Sequence, residues 1–228
     1  MDVLLSLLSE FGFVRLSSEL SLPIVVHSVP GGGKSSLIRK LINKDRRFSA
    51  YTFGLEDCES ITGVRIKKAH ASIPRSEFVV FDEYIEGDTP PWAFAVFADP
   101  LQGGPGPVLR AHFIKRRSHR FGKCTAQLLN DLSYEVESDL ADVVQIQGLY
   151  ETDLQGTVVY YEACVGNLLR AHSVPAYCIS EIRGQTFESV TFVTSENYPV
   201  DRALAFQCLT RHRSSLLILS PDATYTAS

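Results

Sequence analysis

The chain has 228 residues, of which 45% are hydrophobic, and its formal net charge is −4 at pH 7. This composition suffices for one large globular domain or two small ones. It excludes a polycation, so any nucleic-acid contact must come from a local basic patch. The five cysteines form no C-x-x-C pair, which argues against a disulfide framework and a zinc site and favours a reducing compartment.

The chain opens on an amphipathic helical pattern, in which Val3, Leu4, Leu7, Leu8 and Phe11 share one face. The segment lacks a basic region, carries acidic residues and is too short to span a bilayer. It is therefore typical of neither a signal peptide nor a membrane helix. We expect this helix to dock on a sheet, and we expect a soluble chain with no transmembrane segment.

Apolar runs predict buried strands in the first half, at Ile24–Val29, Ala50–Phe53, Phe78–Phe81 and Phe94–Ala98. A helical pattern over Lys34–Lys44 separates the first two of them. Strands that alternate with helices predict an α/β fold with a parallel sheet. Ligands of such folds bind beyond the carboxyl ends of the strands. His27 lies inside the first predicted strand, so we expect a core residue there rather than a catalyst.

A glycine-rich turn joins the first strand to the helix. In this strand–loop–helix context it is typical of a P-loop, whose backbone N–H groups surround phosphates, whose lysine reaches the β- and γ-phosphates and whose serine holds Mg²⁺. Ser28 stands where the motif has its first glycine, and the alternative is an ordinary glycine-rich turn. The residues predicted to bind the nucleotide are Pro30, Gly31, Gly32, Gly33, Lys34, Ser35 and Ser36.

Two acidic residues, Asp82 and Glu83, directly follow the apolar run Phe78–Phe81. Such a pair forms a solvated turn in many proteins. After a P-loop it is typical of a Walker B motif, in which the first carboxylate serves Mg²⁺ and the second positions or deprotonates water. We therefore predict Ser35 and Asp82 as metal ligands and Glu83 as a catalytic residue.

The segment Pro100–Pro107 is rich in proline and glycine and predicts a hinge between two halves, 1–106 and 107–228. The second half repeats the α/β pattern. Its predicted strands are Val143–Ile146, Val158–Tyr161, Ala176–Ile179, Val190–Val193 and Ser215–Leu219, and its predicted helices are Gly122–Leu129, Val165–Ala171 and Val200–Leu209. It has no P-loop, but Arg120 and Arg211 are placed to act as arginine fingers on a nucleotide held between two halves.

Together these segments resemble the motif series of superfamily 1 RNA helicases. More narrowly, they resemble the first protein of the triple gene block, the movement protein of potexvirus-like plant RNA viruses. The matching segments in chain order are Val29–Ser36 (motif I), Phe81–Tyr84 (II), Ala98–Gln102 (III), Ser118–Gly122 (IV), Arg183–Val190 (V) and Ala205–Arg213 (VI). Each of the later motifs is weak by itself, and the ordered set is specific.

The resemblance implies two RecA-like parallel-sheet P-loop NTPase halves, a superfamily 1 helicase core without large accessory domains. It implies that Gln102 senses the γ-phosphate and that Arg120 and Arg211 contact it. It also implies that Gly184 and Thr186 of motif V link the RNA backbone to the nucleotide site. The implied catalytic set is Lys34, Glu83, Gln102, Arg120 and Arg211.

The resemblance further implies RNA-stimulated hydrolysis of ATP or another NTP with Mg²⁺, movement of viral RNA between plant cells, and suppression of RNA silencing. The implied partners are single-stranded RNA of the viral genome, further copies of the chain, and other viral movement or coat proteins. The implied location is the host cytoplasm and the plasmodesmata.

The segment Arg110–Lys123 interleaves basic with aromatic residues. Basic groups neutralise phosphates and aromatic faces stack on unpaired bases. We therefore predict RNA contact at Lys115, Arg116 and Arg117. The alternatives are a solvated linker and, for Phe113 and Ile114, a core strand.

Two other functions compete with an RNA-stimulated NTPase. One is an RNA- and partner-binding movement module in which hydrolysis is slow or dispensable. The other is a GTPase or small-molecule kinase. The string most similar to a GTPase base-recognition motif, Asn43-Lys44-Asp45, lies at the end of the P-loop helix, where the spacing is wrong.

Overall fold

The structure is a computed structural model that describes residues 1–59 and 61–227. The chain divides into two compact units, Met1–Arg116 and Arg117–Ser228. This division corrects the predicted boundary between 106 and 107. It lies later because the strand Phe113–Lys115 pairs with Ile24–Ser28 and so belongs to the first unit.

Over its described residues, 1–59 and 61–116, unit 1 contains two α-helices, seven strands and two 3₁₀ helices. The α-helices are α1 (Asp2–Glu10) and α2 (Lys34–Lys44), and the 3₁₀ helices are Tyr84–Glu86 and Pro100–Gln102. The strands are β1 (Val14–Arg15), β2 (Ile24–Ser28), β3 (Ser49–Thr52), β4 (Lys67–Lys68), β5 (Val79–Asp82), β6 (Ala95–Ala98) and β7 (Phe113–Lys115). They form one sheet in the order β1-β7-β2-β6-β5-β3-β4, and only the β1–β7 pair is antiparallel.

Both faces of this sheet are covered, which explains why its central strands are apolar throughout. On one face the strands pack against the apolar sides of α1 and α2. On the other face they pack against Tyr84, Ile85, Trp92 and Leu109, which come from a 3₁₀ helix and loops. The prediction that the first helix docks on the sheet is thereby confirmed.

The segment predicted as a hinge is packed within unit 1. The backbone N–H of Gly106 donates a hydrogen bond of 2.8 Å to the carbonyl oxygen of Ile85. A Cβ atom on Gly106 would lie 2.7 Å from that oxygen, so this close approach requires glycine. The chain between motif III and β7 is therefore attached to the residues that follow Asp82.

The described part of unit 2, residues 117–227, contains three α-helices, seven strands and the 3₁₀ helix Ile179–Ile182. The α-helices are α3 (Lys123–Asp131), α4 (Ala163–Ala171) and α5 (Arg202–Leu209). The strands are β8 (Arg117–Ser118), β9 (Glu137–Ser138), β10 (Val143–Gly148), β11 (Thr157–Tyr160), β12 (Ala176–Cys178), β13 (Phe187–Val193) and β14 (His212–Ser220). Five of them form a parallel sheet in the order β10-β14-β13-β11-β12, and β8 pairs with β9.

The predicted helices of unit 2 are present, and the structure sets their ends. Helix α5 begins at Arg202 rather than at the predicted Val200. The reason is that Asp201 Oδ1 accepts hydrogen bonds from the N–H groups of Ala203 (3.1 Å) and Leu204 (3.0 Å), which makes Asp201 the N-cap.

The α/β class with mainly parallel sheets is confirmed in both units, and the RecA-like character of each half stays a prediction. Across residues 1–59 and 61–227, no helix combines the length and apolar character needed to cross a membrane.

Candidate nucleotide site and arginine motifs

The P-loop connects the carboxyl end of β2 to the first turn of α2. Gly31 and Gly33 have φ angles of 74° and 94°, in the left-handed region that favours glycine. Gly32 is constrained by space instead, because a Cβ atom there would lie 2.7 Å from the Oγ of Ser28. The serine that replaces the first motif glycine thus fits the loop because position 32 has no side chain.

Lys34 is the first residue of α2, and its side chain is buried. Its Nζ donates a hydrogen bond of 3.1 Å to the carbonyl oxygen of Ser28. The ammonium group therefore lies against the loop backbone. A cation in this position, together with the amino end of α2, makes the loop a suitable site for a polyphosphate.

Ser35 and Asp82 meet although they are far apart in sequence. The Oγ of Ser35 donates a hydrogen bond of 2.9 Å to Oδ2 of Asp82, which is the last residue of β5. Burial, and then the neighbouring Glu83, raise the pKa of Asp82 above its ordinary value. A hydroxyl and a carboxylate oxygen are the donors that Mg²⁺ prefers, and a divalent cation would stabilise this buried carboxylate. The residues present therefore fit the predicted ion.

Glu83 has a backbone conformation that is uncommon for a residue with a side chain. Its φ and ψ are 53° and 43°, in the left-handed region. Its Cγ lies 3.3 Å from the position of a Cβ atom on Gly54, and Gly54 follows β3, which is next to β5 in the sheet. Strained backbone of this kind is concentrated at functional sites, so the geometry agrees with the predicted role of Glu83 without testing it.

Motif III contributes a contact that the sequence analysis missed. Asp99 accepts hydrogen bonds from Nε2 of Gln102 (2.8 Å) and from the N–H of Leu101 (3.1 Å). Asp99 is itself only 2% exposed. Burial raises the pKa of Asp99 to about 6, although Lys34 and the hydrogen bond from Gln102 act in the opposite direction. Asp99 thus orients the side chain predicted to sense the γ-phosphate. An Asp before Pro at a strand end was the available signal, because Asp is a preferred N-cap.

His27 is a core residue with a hydrogen-bond partner, as predicted. Its Nε2 lies 2.9 Å from the Oη of Tyr84, and the N–H of Leu109 donates to the same oxygen at 2.9 Å. Burial, and then the charge of Lys34, lower the pKa of His27 to about 4. The hydrogen bond between Tyr84 and His27 therefore involves a neutral imidazole.

The two predicted arginine fingers lie close to one another in unit 2. Nη1 of Arg120 donates a hydrogen bond of 3.4 Å to the carbonyl oxygen of Thr210, the residue before Arg211. Arg211 is buried, and its Nη2 donates to Oε1 of Gln207 at 3.4 Å. Motif V joins the same region, since the N–H of Phe187 donates to the carbonyl oxygen of Arg211 at 2.8 Å.

The other predicted RNA contacts of unit 2 lie just before β13. Gly184 is exposed with a φ angle of 76°, and Thr186 is half-buried. Their predicted contact with the RNA backbone stays a prediction.

The basic segment is only partly available to a ligand. Lys115 is buried in β7 and its Nζ donates a hydrogen bond of 2.8 Å to the carbonyl oxygen of Phe11, which corrects its assignment to a surface RNA site. Arg116 and Arg117 are exposed, and Arg117 forms ion pairs with Asp139 (2.9 Å) and Glu137 (3.5 Å). The alternative of a core strand at Phe113 and Ile114 is confirmed.

The comparison with protein families establishes the class of protein. The family described as the viral superfamily 1 RNA helicase core domain matches residues 24–220, and the chain therefore belongs to this helicase family. The match begins at β2 and ends with β14. It thus includes the P-loop, the Asp82–Glu83 pair and both arginine motifs.

The narrower resemblance to triple gene block proteins is also confirmed. The chain is 99% identical over 228 residues to the Movement and silencing protein TGBp1 of Lily symptomless virus, and the alignment covers 100% of each. It is 53% identical over 232 aligned positions to the Movement and silencing protein TGBp1 of Chrysanthemum virus B, again over the whole of both.

Among solved structures the chain resembles the arterivirus nonstructural protein 10 helicase. The TM-score is 0.52 at 18% identity, over 95% of this chain and 56% of that one. The complex of that helicase with DNA also gives a TM-score of 0.52, at 17% identity over 95% and 57% of the two chains. The chain thus spans little more than half of the arterivirus helicase, and the likeness concerns the fold.

Proposed function

We propose that the chain is an RNA-stimulated NTPase with limited helicase activity that supports the movement of viral RNA between plant cells. The observation that carries the proposal is the meeting of Ser35 and Asp82 beside the buried Lys34. A P-loop hydroxyl in contact with a strand-end carboxylate is the arrangement with which P-loop NTPases hold Mg²⁺.

The chemistry that these residues support is in-line attack of water on the γ-phosphate of ATP or another NTP. Lys34 stabilises the negative charge that develops on the transferred phosphoryl group, and Glu83 orients the attacking water. Ser35 and Asp82 would hold a magnesium ion, which would supply further neutralisation of charge during phosphoryl transfer. Gln102, Arg120 and Arg211 are proposed to contact the γ-phosphate, and Gly184 and Thr186 to contact the RNA backbone.

The wider role is supported by the relatives and by the fold. The full-length relatives are named movement and silencing proteins, so we extend both roles to this chain. The structurally similar arterivirus helicase has been solved with DNA, which supports nucleic-acid binding by this fold. Self-association, contacts with other viral movement or coat proteins, and location in host cytoplasm and plasmodesmata are proposed on the family alone.

Steady-state ATP hydrolysis with and without single-stranded RNA tests the proposal. Lys34→Ala should abolish the RNA-stimulated rate, because it removes the P-loop ammonium group. Lys44→Ala is the matched control, since this exposed lysine lies at the other end of the same helix. The NTPase function is supported if RNA stimulates hydrolysis, and if Lys34→Ala loses this activity while Lys44→Ala retains it.

The second candidate is an RNA- and partner-binding movement module with slow or dispensable hydrolysis. It is favoured by the relatives' names, which state movement and silencing. Wild-type protein that binds RNA but hydrolyses ATP no faster than Lys34→Ala would establish this second function instead. Membership of the helicase family argues against a GTPase or small-molecule kinase.

A further inference from the structure

Outside the predicted catalytic set, unit 2 contains a buried carboxylate with an unusual number of hydrogen-bond donors. The side chain of Asp142 has no exposed surface. It accepts hydrogen bonds from the N–H groups of Gly122 (2.8 Å), Cys124 (2.8 Å) and Thr125 (3.3 Å), where the chain enters α3. A Cβ atom on Gly122 would lie 2.6 Å from the Cγ of Asp142, so motif IV ends on a glycine that this contact requires.

The same carboxylate reaches motif VI through a histidine. Nε2 of His212 lies 3.3 Å from Oδ2 of Asp142 and 2.9 Å from Oγ1 of Thr125. His212 and Thr125 are both fully buried. One buried group of three side chains therefore joins the start of α3 to the start of β14.

Asp142 remains charged in this environment. Burial alone would raise its pKa, but the hydrogen bonds from His212, Thr125, Gly122 and Cys124 together lower the pKa to about 2. A buried carboxylate is stable only when donors satisfy it. Loss of its charge should therefore loosen both segments that supply those donors.

Both predicted arginine fingers are adjacent to this group. Arg120 lies two residues before Gly122, and Arg211 directly precedes His212. Arg120 also donates to the carbonyl oxygen of Thr210 at 3.4 Å, so the two segments are in contact at the residue before Arg211. Phe187 of motif V pairs with His212 in the sheet.

We propose that Asp142 and His212 are positioning residues that fix Arg120 and Arg211 in one arrangement for catalysis. The inference rests on the proposed NTPase function, since the arginines are assigned to the γ-phosphate there. Asp142 acts through His212 and the N–H groups of motif IV and touches no substrate. A helix cap alone would require only the N–H contacts, whereas positioning also requires the contact with His212.

The test uses full-length protein and measures kcat and KM for ATP hydrolysis in the presence of single-stranded RNA. Asp142→Asn and His212→Gln should each lower kcat about tenfold or more and leave KM within about twofold, because nucleotide binding depends on unit 1. Asp201→Asn is the matched control, since Asp201 caps α5 in the same unit. It should leave kcat unchanged and alter the melting temperature little, because asparagine is also a good N-cap.

A double-mutant cycle separates positioning from general loss of structure. In an Arg120→Ala, Arg211→Ala background, Asp142→Asn should lower the residual kcat by less than about twofold, because both groups that it positions are already absent. Three results would overturn the inference. They are losses of kcat that multiply when the changes are combined, an unchanged kcat for Asp142→Asn, and an equal loss of kcat in Asp201→Asn. If wild-type protein hydrolyses no more ATP than Lys34→Ala, the proposed function fails, and the positioning inference fails with it. An active wild type with an unimpaired Asp142→Asn overturns the positioning role alone.

Discussion

The Oγ of Ser28 lies 2.7 Å from the position that a Cβ atom would take on Gly32. Ser28 replaces the first glycine of the P-loop motif, and its hydroxyl fills space that a glycine would leave open. The presence of serine at position 28 thus requires glycine at position 32. The pair is coupled, and the coupling can be measured.

Gly32→Ala should distort the loop, because the new methyl group would meet Ser28 Oγ at 2.7 Å and Cβ at 2.9 Å. We expect a loss of stability of about 1–3 kcal/mol and weaker nucleotide binding. Ser28→Gly in the same chain should recover part of both, while the 3.0 Å approach to the carbonyl oxygen of Val29 remains. Urea denaturation and titration with a fluorescent nucleotide measure the two effects. Equal losses in the single and double variants would show that Ser28 is not the obstacle.

Glu83→Gln should retain nucleotide binding and lose turnover. The substitution preserves the side-chain length, and it removes the carboxylate that we propose orients water. We expect kcat to fall about 10²-fold or more with binding nearly unchanged. Glu77→Gln, at the exposed position two residues before β5, is the control. Normal hydrolysis by Glu83→Gln would remove Glu83 from the catalytic set.

Asp99→Asn should impair hydrolysis by releasing Gln102. Asn offers one carbonyl oxygen in place of two acceptors, so it cannot satisfy both Gln102 Nε2 and the N–H of Leu101 as Asp99 does. A hydrogen bond to a charged group contributes about 1.5–3 kcal/mol, so we expect kcat to fall about tenfold.

The control for this prediction is to make the same change in protein that already lacks the Gln102 side chain. In Gln102→Ala protein, Asp99→Asn should cause little further loss of kcat. The exposed Asp88→Asn should have no effect in either background. Additive losses for the changes at Asp99 and Gln102 would show that Asp99 acts independently of Gln102.

His27 should make the folded protein less stable as the pH falls. Burial, and then Lys34, lower its pKa from 6.5 to about 4, so the unfolded chain binds this proton more readily than the folded one does. The stability that neutral His27 contributes is present above pH 6.5 and is lost as the pH falls towards 4, by up to about 1.4 kcal/mol per pH unit.

His27→Gln removes this titration. The measurement is the free energy of unfolding of wild-type and variant protein between pH 4 and pH 7, and the difference between the two curves isolates His27 from other groups. The variant should show a shallower decrease on acidification. Parallel curves would mean that His27 titrates alike in both states.

The exposed arginines at the unit boundary should contribute to RNA binding through charge. Removal of both in an Arg116→Ala, Arg117→Ala variant should weaken binding of single-stranded RNA and reduce the dependence of log K on log salt by about 0.7 for each lost phosphate contact. Arg47→Ala is the control, since it is another exposed arginine in an ion pair. An unchanged salt titration would exclude this patch from the RNA site.

Local pattern was sufficient for the elements that position the nucleotide site. The helix Lys34–Lys44 has the predicted bounds, and β5 and β6 lie where continuous apolar runs placed them. The contact between Ser35 and Asp82 followed from the rule that parallel strands present their carboxyl ends at one edge. These predictions succeeded because periodicity and the glycine-rich turn are encoded in neighbouring residues.

Other outcomes depended on pairings between distant segments. The basic and aromatic pattern predicts RNA contact at Lys115, but β7 joins the sheet next to β2 and the side chain of this lysine is buried. The proline- and glycine-rich segment was predicted as a hinge, but Gly106 packs on Ile85. Neither partner is visible in the local composition of the segment.

The sequence by itself therefore determined the α/β class, the P-loop, the paired acids and the order of the helicase motifs, because each is written in a short run of residues. Only the tertiary structure decided which polar side chains support that site. The supporting pairs are Asp99 with Gln102, Tyr84 with His27, and Asp142 with His212, and each contains at least one buried side chain. Burial makes a hydrogen bond to a specific partner obligatory. In the last two pairs the partners lie too far apart in the chain for any local pattern to show that they meet.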